Sequence, residues 1–275
     1  MDKEDILKLA NNFWKESILA NSYFSIIKQY VENYNKYHNE MIYSSAFYAI
    51  SFEAIQNSLF MQLAKIYDKS KNAINIGYLL KKCSENIIIF PKYRKIVEVE
   101  VEGQKQTLKI PFQHQIKPTE ECYFEKYVKD EREIREILGI GEFDVPIMVK
   151  LTIDQYIEMY QKRYHALNSK IDNLVKQRNK IYAHNDKELC FDIDDVLNKN
   201  PITYNDIQEL IDYALDVSRF VIGCLDNVCK PKQYANIKDW EKTLQFVKLG
   251  DKYCDVEVKK QVKEFKNNII PDDKE

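Results

Sequence analysis

Residues 152–184 read TIDQYIEMYQKRYHALNSKIDNLVKQRNKIYAH, and the fold follows from how that stretch is read. Ile153, Ile157, Tyr160, Tyr164, Leu167, Ile171 and Leu174 recur at steps of three and four, which is one apolar stripe of an amphipathic helix. Thr152 with Gln155 three residues on forms a capping box at its start. The next position in the rhythm is Arg178 instead of a hydrophobe. A guanidinium keeps its charge, so on an apolar face it needs an anion or a set of acceptors. His184 follows six positions later, where the sequence turns polar. Six positions leave it well off the Arg178 direction on an ideal helix. The two side chains converge only if the helix unwinds before His184 or a second subunit completes the site.

Outward from this stretch the chain reads as helical. Low Gly and Pro content, six and seven in 275 residues, disfavours a many-turned β fold. A first helix is expected over about 5–37. A second, over about 41–67, is so apolar between Met41 and Ala64 that it reads as the central helix of a bundle. Its one charge there is Glu53, a carboxylate that must be paired, protonated or close to a functional cavity. A short third helix covers about 74–84. Ile96 to Glu102 then alternates strictly, Gly103 punctuates, and Leu108 to Phe112 alternates again. This predicts a β-hairpin inserted within about 92–118, with glutamates able to face Lys105 and Lys109. A charged helix is expected over about 120–138. Thr203 caps a further helix with the stripe Ile207, Leu210, Ile211, Ala214, Val217, Val221 and Leu225. One or two short helices follow, then a tail over 267–275. The expected architecture is all-α, one helical domain over 1–266 carrying the hairpin.

Composition narrows the function. A net charge of −2 leaves no global footprint for nucleic acid, so an RNA-binding surface has to be local. The six cysteines show no zinc-ligand spacing and read as small buried hydrophobes of a reducing compartment. The acidic start is wrong for a secretion signal and no run is long enough to span a membrane, so a cytoplasmic protein without a membrane partner is expected.

Arg178-Asn179 on a long helix, with His184 after a short gap, resembles the Arg-polar-…-His motif of the HEPN superfamily (higher eukaryotes and prokaryotes nucleotide-binding domains). The wider runs RNKIYAHND (178–186) and LAKIYD (63–68) are similar to its AbiU-like, abortive-infection branch. The resemblance implies a helical bundle that dimerises, bringing two Arg–His pairs into one cleft. It also implies metal-independent RNA cleavage, often within anti-phage defence or a toxin–antitoxin system with a regulator. Some HEPN toxins carry a modifiable Tyr two residues after the His; Asp186 stands there instead.

The chemistry needs no cofactor. The 2′-hydroxyl of RNA is the nucleophile, and a histidine with an ordinary pKa near 6.5 can take its proton or protonate the leaving oxygen. Arg178 would hold the phosphate oxygens. Asn179 could orient the phosphate or a backbone turn, and Tyr182 could stack on a base or pack in the core. Lys170, Lys176 and Lys180 could steer RNA locally. Asp68 enters the site on the resemblance alone. Against this stands a structural reading in which Arg178 pairs with Glu53 or Asp68 and His184 meets the terminal carbonyls of its helix. The rivals to the nuclease are a non-catalytic HEPN module that binds RNA, a nucleotide or a protein, and a purely structural dimer.

Overall fold

The computed structural model describes residues 1–91, 98–101, 104–107, 123–129, 131–142, 144–183 and 193–269. In order these form α1 (Lys3–Asn33), α2 (His38–Ile42), α3 (Ser45–Tyr67), α4 (Ile76–Glu85), β1 (Glu98–Val101), β2 (Gln104–Thr107), β3 (Tyr123–Val128), α5 (Arg132–Leu138), β4 (Ile147–Thr152), α6 (Ile153–Ala166), α7 (Asn168–Gln177), a π-helical segment (Arg178–Ala183), α8 (Ile193–Lys199), α9 (Tyr204–Asp226) and α10 (Asp239–Ile269). The protein is helical, as its composition predicts. Its contacts group into two compact units, Met1–Asn21 with Asn57–Gln233, and Ser22–Gln56 with Tyr234–Glu275.

The larger unit is built on the predicted stripe. Ile153, Ile157, Tyr160, Leu167, Ile171 and Leu174 are all buried. The Thr152–Gln155 capping box forms, with both reciprocal hydrogen bonds present. Thr203 caps α9 in the same way, with Asp206 as its reciprocal partner. α9 is the central helix: from Leu210 to Leu225 its described faces are buried except at Asp212, Asp216 and Arg219. That role was expected of the second helix instead. The expected helix over 41–67 is two, α2 and α3, and the first half of α3 is exposed, Phe47 at 65% and Ile50 at 67%. Hydropathy alone does not distinguish burial within a chain from an apolar face left open.

Aromatic rings tie α6 to α9. Tyr156 stacks on Phe220 at 4.8 Å, and the buried Tyr213 hydroxyl donates to the Tyr160 carbonyl at 2.7 Å. The Tyr67 hydroxyl at the end of α3 donates to the Leu210 carbonyl at 2.5 Å. Burial raises the pKa of all three phenols, Tyr67, Tyr160 and Tyr213, well above 10.

The hairpin pairs β1 with β2, and Glu100 lies opposite Lys105 as the alternation implied. The second strand is Gln104–Thr107; the stretch 108–112 assigned to it from sequence lies outside the described residues, as does Gly103. A second antiparallel pair, β3 with β4, went unforeseen. Tyr123–Val128 was expected to be helical, and the helix begins at Arg132 instead. β4 alternates, with Val149 and Leu151 buried and Met148 and Lys150 exposed. It runs straight into α6 at Thr152.

The smaller unit packs Tyr37, Met41 and Leu244 together, with Tyr30, Tyr48 and Trp240 against them. The indole of Trp240 donates to Gln29 at 3.0 Å, and Glu241 accepts from both Lys36 and Tyr37 at 2.7 and 3.1 Å. The one or two short C-terminal helices expected from sequence are one helix, α10. From Lys248 to Phe265 every residue whose burial is described is exposed. Cys83 and Cys224 are buried as predicted, and burial pushes the Cys83 thiol up to about 12. Cys229 and Cys254 are exposed, contrary to the general reading; Cys122 and Cys190 lie outside the described residues. No described helix is long and apolar enough to cross a membrane.

Candidate functional site

Arg178 sits where helix geometry changes. Its N–H still bonds back to the carbonyls of Leu174 and Val175, closing α7, and it is the first residue of the π-helical segment. Such segments substitute i→i+5 bonds for i→i+4 and recur at functional sites. The α-helical rhythm therefore ends at Gln177, and the chain continues as a π-helix to Ala183. His184 itself lies outside the described residues, as does the side chain of Tyr182.

The Arg178 side chain is 19% exposed, and its Nη2 lies 3.8 Å from Asp68 Oδ2. That is an electrostatic contact, too long for a hydrogen bond. Its Nε is buried with no hydrogen-bond partner among the described residues. A buried donor without an acceptor is costly, and native structures keep few of them. Arg178 is therefore held inward by a loose carboxylate contact, with donor capacity left for a further anion.

Asp68 is held from its own side. Its Oδ1 accepts from the Ser70 N–H at 2.8 Å, and its carbonyl accepts from the Asn75 side chain at 2.6 Å. Asn75 also caps α4 through the Tyr78 N–H at 2.9 Å. Lys69 bridges to Asp172 and Asn168 at 2.7 and 3.1 Å, which ties this loop to α7. On the other side Gln177, almost wholly buried, donates to the Asn200 carbonyl at 2.6 Å, and Asn173 donates to the Pro201 carbonyl at 2.8 Å. These anchors fix the end of α7 and so the root of Arg178. Sequence reading passed over Gln177 and Asn173. An uncharged amide in a helical stripe gives no signal until its carbonyl partner, more than twenty residues away, is known.

Glu53 is exposed on α3, so the premise that it is a buried carboxylate needing Arg178 does not hold; the ion pair Arg178 makes among the described residues is with Asp68. Lys170 lies 2.7 Å from Asp206 and 2.5 Å from Glu209, an arrangement that raises its pKa and neutralises its charge. Asn179, Lys176 and Lys180 are exposed. Among the described residues no group of three or more His, Cys, Asp or Glu could hold a metal ion.

A protein-family model, HEPN_AbiU2, described as AbiU2, matches residues 3–243. No curated protein and no solved structure matches the chain.

Proposed function

The chain belongs to the HEPN_AbiU2 family, and from that premise we propose that it is a metal-independent endoribonuclease in which Arg178 binds the scissile phosphate and His184 moves the proton. The observation that carries the reading is the guanidinium of Arg178, drawn inward with a buried Nε that no described residue satisfies. Bidentate phosphate is the ligand a planar guanidinium suits best. In the reaction the 2′-oxygen attacks phosphorus while His184 takes its proton. The bond from phosphorus to the 5′-oxygen breaks, and that oxygen leaves protonated. The products are a 2′,3′-cyclic phosphate and a 5′-hydroxyl. Arg178 stabilises the charge that grows on the non-bridging oxygens in the transition state. Asn179, Lys176 and Lys180, exposed beside it, contact the flanking RNA.

One histidine is poorly placed to act as base and acid in the same step, so the second proton transfer falls to His184 of a second copy. The start of α3 from Ser45 to Phe52, charge-free and with Phe47 and Ile50 exposed, supports such a homodimer. The biological setting is abortive infection or a toxin–antitoxin pair, where a regulator would restrain the nuclease. A module that binds RNA without cutting it is the second reading, favoured by the contact with Asp68, which gives Arg178 a structural role.

Incubation of wild type, Arg178→Ala and His184→Ala with mixed RNA in EDTA separates the two. Wild type is expected to release cyclic-phosphate ends, with each variant at least about 100-fold slower. Undiminished cleavage by His184→Ala rules the mechanism out, and RNA binding without cleavage by wild type leaves the module.

A further inference from the structure

The smaller unit holds a cavity of about 420 Å³ beside the turn between α1 and α2. The volume falls in the range of small-ligand pockets, roughly 300–1,000 Å³. At its wall is Glu40, a carboxylate of a residue only 9% exposed, whose ion pair is with Lys248 Nζ at 3.8 Å. That separation is beyond hydrogen-bond range. An ionised carboxylate has only acceptor sites, and when desolvated it calls for N–H or O–H donors. Beside it, the rings of Tyr34 and His38 meet at 5.1 Å and 60°, forming an exposed aromatic corner. Asn35 and Asn39 line the same cavity, both exposed. Lys248 is mostly exposed, whereas the other lining lysine, Lys36, is held by Glu241.

We propose that this cavity binds a guanine nucleotide, with Glu40 accepting from the base edge in place of its loose contact with Lys248 and the Tyr34–His38 corner stacking on its face. The choice of base follows from the carboxylate. Guanine offers two adjacent N–H donors, N1 and the 2-amino group, spaced to meet both oxygens. Adenine sets an acceptor, N1, beside its single amino group, and cytosine sets N3 beside its own. Uracil offers one N–H flanked by two carbonyls. Each of these leaves a carboxylate oxygen unpaired or facing a lone pair, and sites built around such hydrogen bonds reject analogues that lack them. Stacking on tyrosine and histidine is tolerant of base identity and supplies affinity more than selectivity. The side-chain amides of Asn35 and Asn39 have donors for O6 and acceptors for ribose hydroxyls. The guanine belongs either to a free nucleotide or to a single-stranded RNA. The binding depends on neither Arg178 nor His184, so it stands apart from the nuclease reading.

Equilibrium titration of the full chain carrying His184→Ala, which leaves RNA uncut, with GMP, AMP, and the oligoribonucleotides UUGUU and UUAUU tests it. GMP or UUGUU is expected to bind at least about tenfold tighter than its adenine counterpart. Tighter binding of UUGUU than of GMP assigns the guanine to an RNA strand, and the reverse assigns it to a free nucleotide. Glu40→Gln, whose amide presents one donor and one acceptor, should bring the guanine-to-adenine ratio close to one. Tyr34→Ala, at an exposed position, should weaken both ligands without changing that ratio. Equal binding of the guanine and adenine forms, no binding of either, or full affinity in Tyr34→Ala overturns the proposal.

Discussion

Tyr67 spans two roles: its ring fills the core and its hydroxyl satisfies the Leu210 carbonyl. Tyr67→Phe keeps the ring and removes that hydrogen bond, an expected loss of about 1 kcal/mol measured by urea denaturation. The three buried phenols also set an alkaline limit. Tyr67, Tyr160 and Tyr213 stay protonated in the native state at a pH where the unfolded chain has lost those protons. The unfolded state then binds fewer protons, so stability is fully present below about pH 10 and falls as pH rises past it, by about 1.4 kcal/mol per pH unit for each phenol. Urea midpoints measured from pH 8 to 11 should show the fall, and it should be shallower in Tyr67→Phe. Gly77 is a second sensitive residue. A Cβ there would meet the Tyr164 ring at 3.0 Å, so Gly77→Ala should lower the melting temperature, against the gain an alanine in a helix ordinarily brings.

At the scale of elements, α7 is clipped to α9 by Lys170 with Asp206 and Glu209. Hydrogen bonds from Lys170 and then from Thr203 hold the Asp206 carboxyl at about 2, below its ordinary 3.8. A depressed carboxyl stabilises the fold above its unfolded pKa and loses that contribution as pH drops through the folded value. Amide protection factors along α7 should therefore fall between about pH 4 and pH 2, and Asp206→Asn should remove this step. How far these elements were legible depends on how local their causes are. The stripe from Ile153 to Leu174 and the caps at Thr152 and Thr203 are written in neighbouring residues. The caps form, and the stripe is buried except at half-buried Tyr164, although the one expected helix is two, α6 and α7, with a break at Leu167. β3 was misread because Glu125 and Lys126 interrupt its apolar residues. Its partner β4, which pairs Glu125 with Lys150, begins some twenty residues later. The π-helical turn at Arg178 has no spacing that announces it. Arg178 itself was legible as a break in the stripe, and Asp68 by resemblance. The choice of Asp68 over Glu53 came only with the contact.

For the whole molecule, the surface is informative. Ile42, Tyr43, Phe47 and Ile50 are all more than half exposed, in a stretch from Met41 to Phe52 that contains no charge. Monomers seldom leave a contiguous apolar surface of more than about 300–600 Å² open, and a two-fold contact places residues near their own copies, which a charge-free stretch tolerates. Sedimentation velocity should find the full chain as a dimer or larger. The double substitution Phe47→Glu with Ile50→Glu should lower that mass and reduce RNA cleavage with it. An unchanged mass would place the contact on another face.

The chain passes between its two compact units three times, and two of those passages, at Asn21–Ser22 and Gln56–Asn57, fall within the unbroken helices α1 and α3. Neither unit can be excised as a recombinant fragment without sawing through a helical rod and baring backbone groups that the missing turns had bonded. Protease nicking at the third crossing, Gln233–Tyr234, would leave residues 234 onward held only by their packing on residues such as Tyr37 and Met41. Dissection of this protein into separately expressed halves should therefore give insoluble material, and point substitution in the intact chain is the workable route to assigning roles.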